Sequence, residues 1–355
     1  MLRWIRFVAA AIAVAVCIAM VSPRSVLAAP AQPPRDPMLD PPIAPGQTLD
    51  VAVGLHIMNI AAIDEVAQNF TIDAYLFERW HDPRLAYTSA GPDDIERHYK
   101  FGTIWVPRVE MVNGAAPRDR YDTSIVASPD GTINYSERCK AVLSSKFQLK
   151  RFPFDSQTLA IIIHPFTDVA RQVIFSLNDH KTWFSSELES YSSLAQWNLE
   201  MVTPRLGFAK LYDGRSASEI RFEILVKRRS NFYIWKVIVP LLLMVVLSWA
   251  AFWIEAGDLD NQLQVAVTTI LTVIAFAFAI SATMPRVPYL TYIDAFFLEC
   301  YVFVFLAIVE LMTVHITHRS NRRRDLGLKI RMYSRFVVPA AFILCNLILA
   351  VHFLA

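Results

Sequence analysis

Asp260-Asn261-Gln262-Leu263-Gln264-Val265-Ala266-Val267-Thr268-Thr269-Ile270-Leu271 runs on through Ala275 and Phe278 to Met284, just before Pro285. As a helix this stretch is long enough to cross a bilayer, since about 20 residues rising roughly 1.5 Å each span the hydrocarbon core. It is not uniformly apolar. In steps of three and four, one face carries Asp260, Gln264, Thr268, Leu271, Ala275, Phe278 and Ala282. The lower half of that face is polar and the upper half apolar. A polar stripe facing lipid is expensive, so the face is expected to meet protein or water. Two readings fit. Repeated around a symmetry axis, the face lines a pore with an acidic ring, two polar rings and a hydrophobic constriction. Alternatively, the stretch is a buried packing helix with a few helix–helix hydrogen bonds.

The surrounding chain has 355 residues, of which 54% are hydrophobic, and a mean hydropathy of +0.35. That is too apolar for an ordinary soluble protein, yet charged residues still reach 19%. One soluble part and one membrane part are implied. The net charge of +2 comes without a basic patch of interleaved aromatics, so no nucleic-acid partner is expected. No nucleophile–base arrangement or metal-ligand spacing appears, so the reading is of a non-enzyme with no cofactor and no metal. No inverted repeat or broken helix pair points to a transporter.

At the start, Arg3 and Arg6 precede an apolar run from Phe7 to Val21, and Val26-Leu27-Ala28 offers small residues for cleavage. Residues 1–28 therefore read as a secretory signal peptide, with an uncleaved anchor as the alternative. The proline-rich residues 29–46 read as a flexible lead. From 47 to 229 the chain reads as β. Thr71-Ile72-Asp73-Ala74-Tyr75-Leu76-Phe77 alternates, as does Glu219 to Val226, and Ser128-Pro129-Asp130-Gly131-Thr132 places Asp-Gly at a hairpin turn. Short strands at regular spacing predict an antiparallel β-sandwich exported across the membrane. With Cys17 in the leader, Cys139 is the one cysteine in this part, so no internal disulfide is expected.

Residues 230–355 hold four apolar spans, at about 232–254, 260–284, 292–316 and 336–354. Pro240 lacks an N–H and should distort the first. Between the third and fourth, His318-Arg319-Ser320-Asn321-Arg322-Arg323-Arg324 marks the cytoplasmic side. Four spans then leave both ends of the mature chain outside, in agreement with the leader. A sandwich outside and a four-helix bundle with a polar-faced second span suggest a gated channel.

Phe152-Pro153-Phe154-Asp155-Ser156-Gln157 resembles the Phe-Pro-Phe-Asp-x-Gln core of the Cys-loop receptors, the pentameric ligand-gated ion channels. Further matches are Trp80-His81-Asp82-Pro83-Arg84-Leu85, Trp105-Val106-Pro107, Ser128-Pro129-Asp130-Gly131, Pro240 and Pro285-Arg286-Val287-Pro288-Tyr289. The chain looks like the prokaryotic branch. The two family cysteines would fall at Ser145 and Leu159, and both are absent, as in bacterial members.

The resemblance implies a homopentamer in the bacterial inner membrane, embedded in lipid, with N-terminal domain and C-terminus on the periplasmic side. It implies that the second span lines the pore. Asp260 then sits at the cytoplasmic mouth and favours monovalent cations, Gln264 and Thr268 offer oxygen ligands, and Leu271, Ala275 and Phe278 form the gate. Asp260 also suits a helix N-terminus for capping alone. Glu65, Asp155 and Arg228 match an acid–acid–arginine cluster coupling sandwich to pore, together with Pro288 and Tyr289. The agonist site would lie between subunits, with Tyr75 on one side, Phe166 on the other, and Phe208 and Tyr212 in the cap. Such rings suit an amine by cation–π attraction, although Val112 stands where amine receptors usually carry Tyr. The agonist is a small extracellular molecule, and an amine is one candidate. A proton-gated relative shares the Asp-Ser-Gln-Thr-Leu run, but Gln68 and Val273 replace its loop carboxylate and pore-helix histidine. Outside the family, a non-conducting membrane sensor with an exported binding domain is the other reading.

Overall fold

The computed structural model describes residues 36–44, 46–91, 95–166, 172–177, 195–211, 214–254, 259–281, 287–319 and 324–354. The expected leader, most of the proline-rich lead, Tyr212, Ala282, Pro285, Arg286 and 320–323 of the basic cluster lie outside the described residues. Near the start, Asp36 caps a single 3-10 turn, Pro37–Leu39, by accepting from the Met38 N–H at 3.0 Å.

Ten strands follow. They are β1 (Leu49–Asp64), β2 (Asn69–His81), β3 (Arg97–Tyr99), β4 (Val109–Met111), β5 (Asp119–Ala127), β6 (Thr132–Ser144), β7 (Ser156–Pro165), β8 (Val173–Leu177), β9 (Trp197–Lys210) and β10 (Ser216–Arg228). They form a six-stranded sheet in the order β3-β5-β6-β2-β1-β8 and a four-stranded sheet in the order β4-β7-β10-β9. Alternation explains why the sheets face each other. Phe70, Ile72, Ala74 and Leu76 on β2 are buried, as are Ile220, Phe222, Ile224 and Val226 on β10. These inward rows make the core between the two layers. One pairing departs from the all-antiparallel expectation: β1 runs parallel to β8, from Leu49 opposite Val173 to Val53 opposite Leu177. β7 and β8 belong to different sheets, so no hairpin dictates the direction of β8.

The Ser128–Thr132 turn joins β5 to β6. The Ser128 N–H donates to the Thr132 carbonyl at 2.9 Å, and Asp130 Oδ1 accepts from the Thr132 N–H at 2.9 Å. Gly131 has φ +85, and a Cβ there would stand 2.7 Å from the Asp82 carbonyl oxygen. Gly131→Ala should therefore cost on the order of 1–3 kcal/mol through backbone strain. The expected result is a lower thermal unfolding midpoint; an unchanged midpoint means the turn relaxes freely.

Among the described residues four long helices follow: α1 (Asn231–Trp253), α2 (Leu259–Ser281), α3 (Tyr292–Arg319) and α4 (Arg324–Leu354). All four are long and apolar enough to cross a membrane. The distortion expected at Pro240 takes the form of a π turn at Ile234–Ile238, which accommodates a proline lacking its N–H. α4 starts well before the expected residue 336. Its early turns carry Arg331 and Arg335, whose Nε atoms donate to the Phe252 carbonyl at 2.9 and 3.1 Å. Those cations cap the C-terminal end of α1, where orphan carbonyls and the helix dipole favour positive charge.

Candidate functional site

The helix α2 has two unlike sides. Gln262, Ala266, Thr269 and Val273 are buried. Asp260, Gln264, Thr268 and Ala275 are exposed, as are Leu271 at 60% and Phe278 at 76%. At about 100° per residue the two rows lie roughly 180° apart. The face picked out by sequence spacing is thus the one that the chain's own helices leave uncovered. Phe276 is half-buried, with its ring 6.4 Å from that of Phe297 on α3. Asp260 lies in the first turn of α2, where a carboxylate also complements the helix dipole. A row that begins with Asp260, Gln264 and Thr268 is a poor lipid face. It suits water or copies of itself.

At the other end of the bundle the strands meet the helices. Glu65 follows β1, Asp155 precedes β7 and Arg228 ends β10, so the topology delivers all three to one level. Arg228 Nε donates to Asp155 Oδ1 at 2.7 Å, Nη2 to Asp155 Oδ2 at 3.2 Å, and Nη1 to Glu65 Oε1 at 2.8 Å. Arg228 and Asp155 are buried. The guanidinium also lies 4.1 Å from the Trp197 ring centroid and 4.8 Å from that of Phe152. Burial by itself would lower the Arg228 pKa, but the bonds to Asp155 and the charge of Glu65 outweigh it and hold it above its ordinary value. Gln157 Nε2 donates to the same carboxylate, Asp155 Oδ2, at 2.5 Å.

The Phe-Pro-Phe-Asp loop ties this cluster to two helices and to the linker between α2 and α3. The Tyr292 and Ile293 N–H groups, at the start of α3, donate to the Lys150 and Phe152 carbonyls at 2.9 and 3.3 Å. Ser230 Oγ, at the start of α1, donates to the Pro153 carbonyl at 2.7 Å. The Leu149 N–H donates to Tyr289 Oη at 3.0 Å, which connects the linker between α2 and α3. Pro288 in that linker is exposed. Trp197, Phe152 and Gln157 were not singled out from the sequence as parts of this junction. Gln157 and Phe152 lie inside the quoted motif, which was the available signal; Trp197 has no local one.

The proposed agonist rings are dispersed. Tyr75 is on β2 in the six-stranded sheet, Phe166 follows β7 and Phe208 lies on β9, both in the four-stranded sheet. Phe208 is 73% exposed. Among the described ring contacts, none joins these three side chains. The Arg138 guanidinium stands 6.0 Å from the Tyr75 centroid and Arg108 stands 4.3 Å from that of Phe166. An ammonium approaching either ring would meet a cation already beside it, which weakens the case for a simple amine.

Residues 35–230 match the family described as the neurotransmitter-gated ion-channel ligand binding domain, and residues 237–341 match the neurotransmitter-gated ion-channel transmembrane region. The chain belongs to the neurotransmitter-gated ion-channel family. Its relatives include a proton-gated ion channel from Gloeobacter violaceus, 29% identical over 320 residues, which cover 90% of this chain and 87% of that one. The human gamma-aminobutyric acid receptor subunit rho-2 is 28% identical over 293 residues, covering 80% of this chain and 62% of the receptor subunit. The chain thus spans less than two thirds of the receptor subunit's length. Family members are pentameric channels that pass ions and are not enzymes. This member is a multi-pass membrane protein with an extracellular N-terminal domain.

Proposed function

We propose that this family member assembles as a homopentamer in the bacterial inner membrane and conducts monovalent cations when a small extracellular ligand binds between subunits. The observation that carries this reading is the uncovered row on α2, which grades from Asp260 through Gln264 and Thr268 to Leu271, Ala275 and Phe278. Five copies facing one axis give an acidic mouth, a polar middle and an apolar gate. Five carboxylates raise local cation concentration and repel anions. Tyr75 of one copy facing Phe166, Phe208 and Tyr212 of the next would complete the ligand site, since a single chain leaves the described rings apart. Glu65, Asp155, Arg228, Pro288 and Tyr289 would pass the movement of the sandwich to the pore.

The test is the reversal potential of current through reconstituted protein in a salt gradient. It should approach the cation equilibrium value, and Asp260→Lys should weaken or reverse the preference. Anion-selective current from the unmodified protein would refute the selectivity. No current under any stimulus favours a non-conducting sensor.

Protons are the second reading, favoured by Glu78 on β2. Burial first, then the nearby Glu137 charge, pushes its carboxyl up to about 8, so it titrates near neutral pH. Current evoked by a pH step alone selects this reading. Current that requires an added small molecule selects the first.

A further inference from the structure

Arg331 and Arg335 lie one turn apart on α4, and both are directed at the same short stretch of α1. Arg331 Nε and Arg335 Nε donate to the Phe252 carbonyl at 2.9 and 3.1 Å, and Arg331 Nη2 donates to the Ala251 carbonyl at 3.3 Å. Like charges four residues apart on a helix repel, so the pair does not serve α4 itself. Burial adds to the cost. Arg331 is only 5% exposed, and among the described residues its Nη1 has no hydrogen-bond partner. The Glu310 carboxylate on α3 feels both charges, yet among the described residues no ion pair joins it to either. Arg331 thus turns its fork toward backbone carbonyls rather than toward the carboxylate at hand.

The anchored stretch is the final turn of α1, a 3-10 turn at Ala251–Trp253 in which Ala251 and Phe252 are fully buried. The chain then leaves the helix in an extended conformation at Ile254, whose N–H donates to the Ala251 carbonyl at 3.3 Å. The Ile254 carbonyl in turn accepts from Gln262 Nε2 at 3.3 Å. Gln262 belongs to the buried row of α2 and lies two residues past the exposed Asp260. A continuous path therefore runs from the Arg331 guanidinium through Phe252 and Ile254 to Gln262. It ends within one helical turn of Asp260.

We infer that Arg331 is a positioning residue for charge selection: by pinning the end of α1 it fixes where α2 begins, and so fixes the radius of the Asp260 ring. The inference rests on the selectivity reading of Asp260 proposed above. Attraction between a ring of carboxylates and an ion weakens with distance and with the water that enters between them. A wider or looser ring therefore holds cations less well, although no charge on it has changed. The sign of the effect separates positioning from two simpler roles. If permeating ions felt the Arg331 charge directly, removing that cation would strengthen the preference for cations. If Arg331 only fastened the fold, fewer channels would assemble and their selectivity would be unchanged. Positioning alone makes the preference weaker.

The experiment is the reversal potential of the reconstituted full-length protein in a sodium chloride gradient, with a pH step or the Leu271→Ser change supplying the open state. Arg331→Met fills a similar volume without a donor, and should lower the sodium-to-chloride permeability ratio by roughly threefold or more. Arg331→Lys keeps the charge without the fork and should fall between. Gln262→Met leaves Arg331 in place and cuts the last link, so it should lower the ratio as well; it decides the matter where Arg331→Met does not assemble. In an Asp260→Asn background Arg331→Met should have no further effect, because the ring it positions has lost its charge. The inference is overturned if the ratio stays the same or rises in Arg331→Met and Gln262→Met, or if Arg331→Met lowers it equally without Asp260. Asp260→Asn that leaves the ratio unchanged refutes the selectivity reading itself, so the two failures are distinguishable. Absence of current from every variant overturns the inference together with the channel reading.

Discussion

Arg228→Ala should abolish stimulus-evoked current, or raise the half-maximal stimulus concentration by more than tenfold, in protein that still reaches the membrane. The guanidinium is the shared partner of Asp155 and Glu65, bonded at 2.7 and 2.8 Å to carboxylates from two different loops. Removing one partner of a buried ion pair costs about 3–5 kcal/mol, chiefly because a charge is left buried and unpaired. Here Asp155 would retain Gln157 as a neutral donor, which cannot replace the charge. About 1.4 kcal/mol is a factor of ten in an equilibrium, so the junction holds ample energy to decide whether the sandwich can move the helices. Arg228→Lys keeps the charge but loses the fork that serves Asp155 and Glu65 together, and should fall between. The control is the yield of intact oligomer on size exclusion. Normal gating in well-assembled Arg228→Ala protein would remove this cluster from the coupling path. A double variant with Asp155→Asn separates coupling from folding. It should recover part of the oligomer yield, since the buried charge is gone, yet recover little current, since the link between strand and loop is gone as well.

The junction was legible in the sequence through the family resemblance, which matches its residues to positions where the chain turns. Asp155 sits in a motif, Arg228 immediately precedes the first apolar span, and Glu65 lies in the loop after the first strand. Antiparallel strands of similar length bring such ends to one level. Trp197 was not legible there, because its place against Arg228 depends on the pairing of β9 with β10. The face of α2 that the chain's own helices leave uncovered was legible from spacing alone, and the buried row opposite it agrees. The π turn before Pro240 was not, since a proline announces a distortion without choosing its form. Glu78 is an intermediate case. The phase of β2 puts it inward with Leu76 and Trp80, which the alternation already implied. What it faces is set by Arg118 and Glu137, which come from a loop and a strand far along the chain. The dispersion of Tyr75, Phe166 and Phe208 over both sheets is likewise a product of tertiary pairing, and so is the placing of Arg138 beside Tyr75 and Arg108 beside Phe166.

Leu271→Ser or Phe278→Ser should produce resting leak or a leftward shift of the dose–response curve, whereas Phe276→Ser should do neither. Leu271 and Phe278 are 60% and 76% exposed on the uncovered face of α2, while Phe276 packs toward Phe297. In a narrow apolar tube water loses hydrogen bonds that the wall cannot return, so the tube empties and an ion must shed hydration to cross. A serine hydroxyl on one ring returns part of that hydrogen bonding and favours the wetted state. With five symmetric copies, a small change per subunit adds up, and a total of about 1.4 kcal/mol already shifts the open-to-closed ratio tenfold. The measurement is the resting conductance and the dose–response curve of each variant at matched amounts of protein. Phe276→Ser acts instead on the contact between α2 and α3, so its expected signature is reduced oligomer yield with unchanged sensitivity in what assembles. If Phe276→Ser opens the channel and both ring variants behave as the unmodified protein, the pore lies on a different side of α2. The grading from Asp260 to Phe278 would then be a packing face between helices of neighbouring subunits.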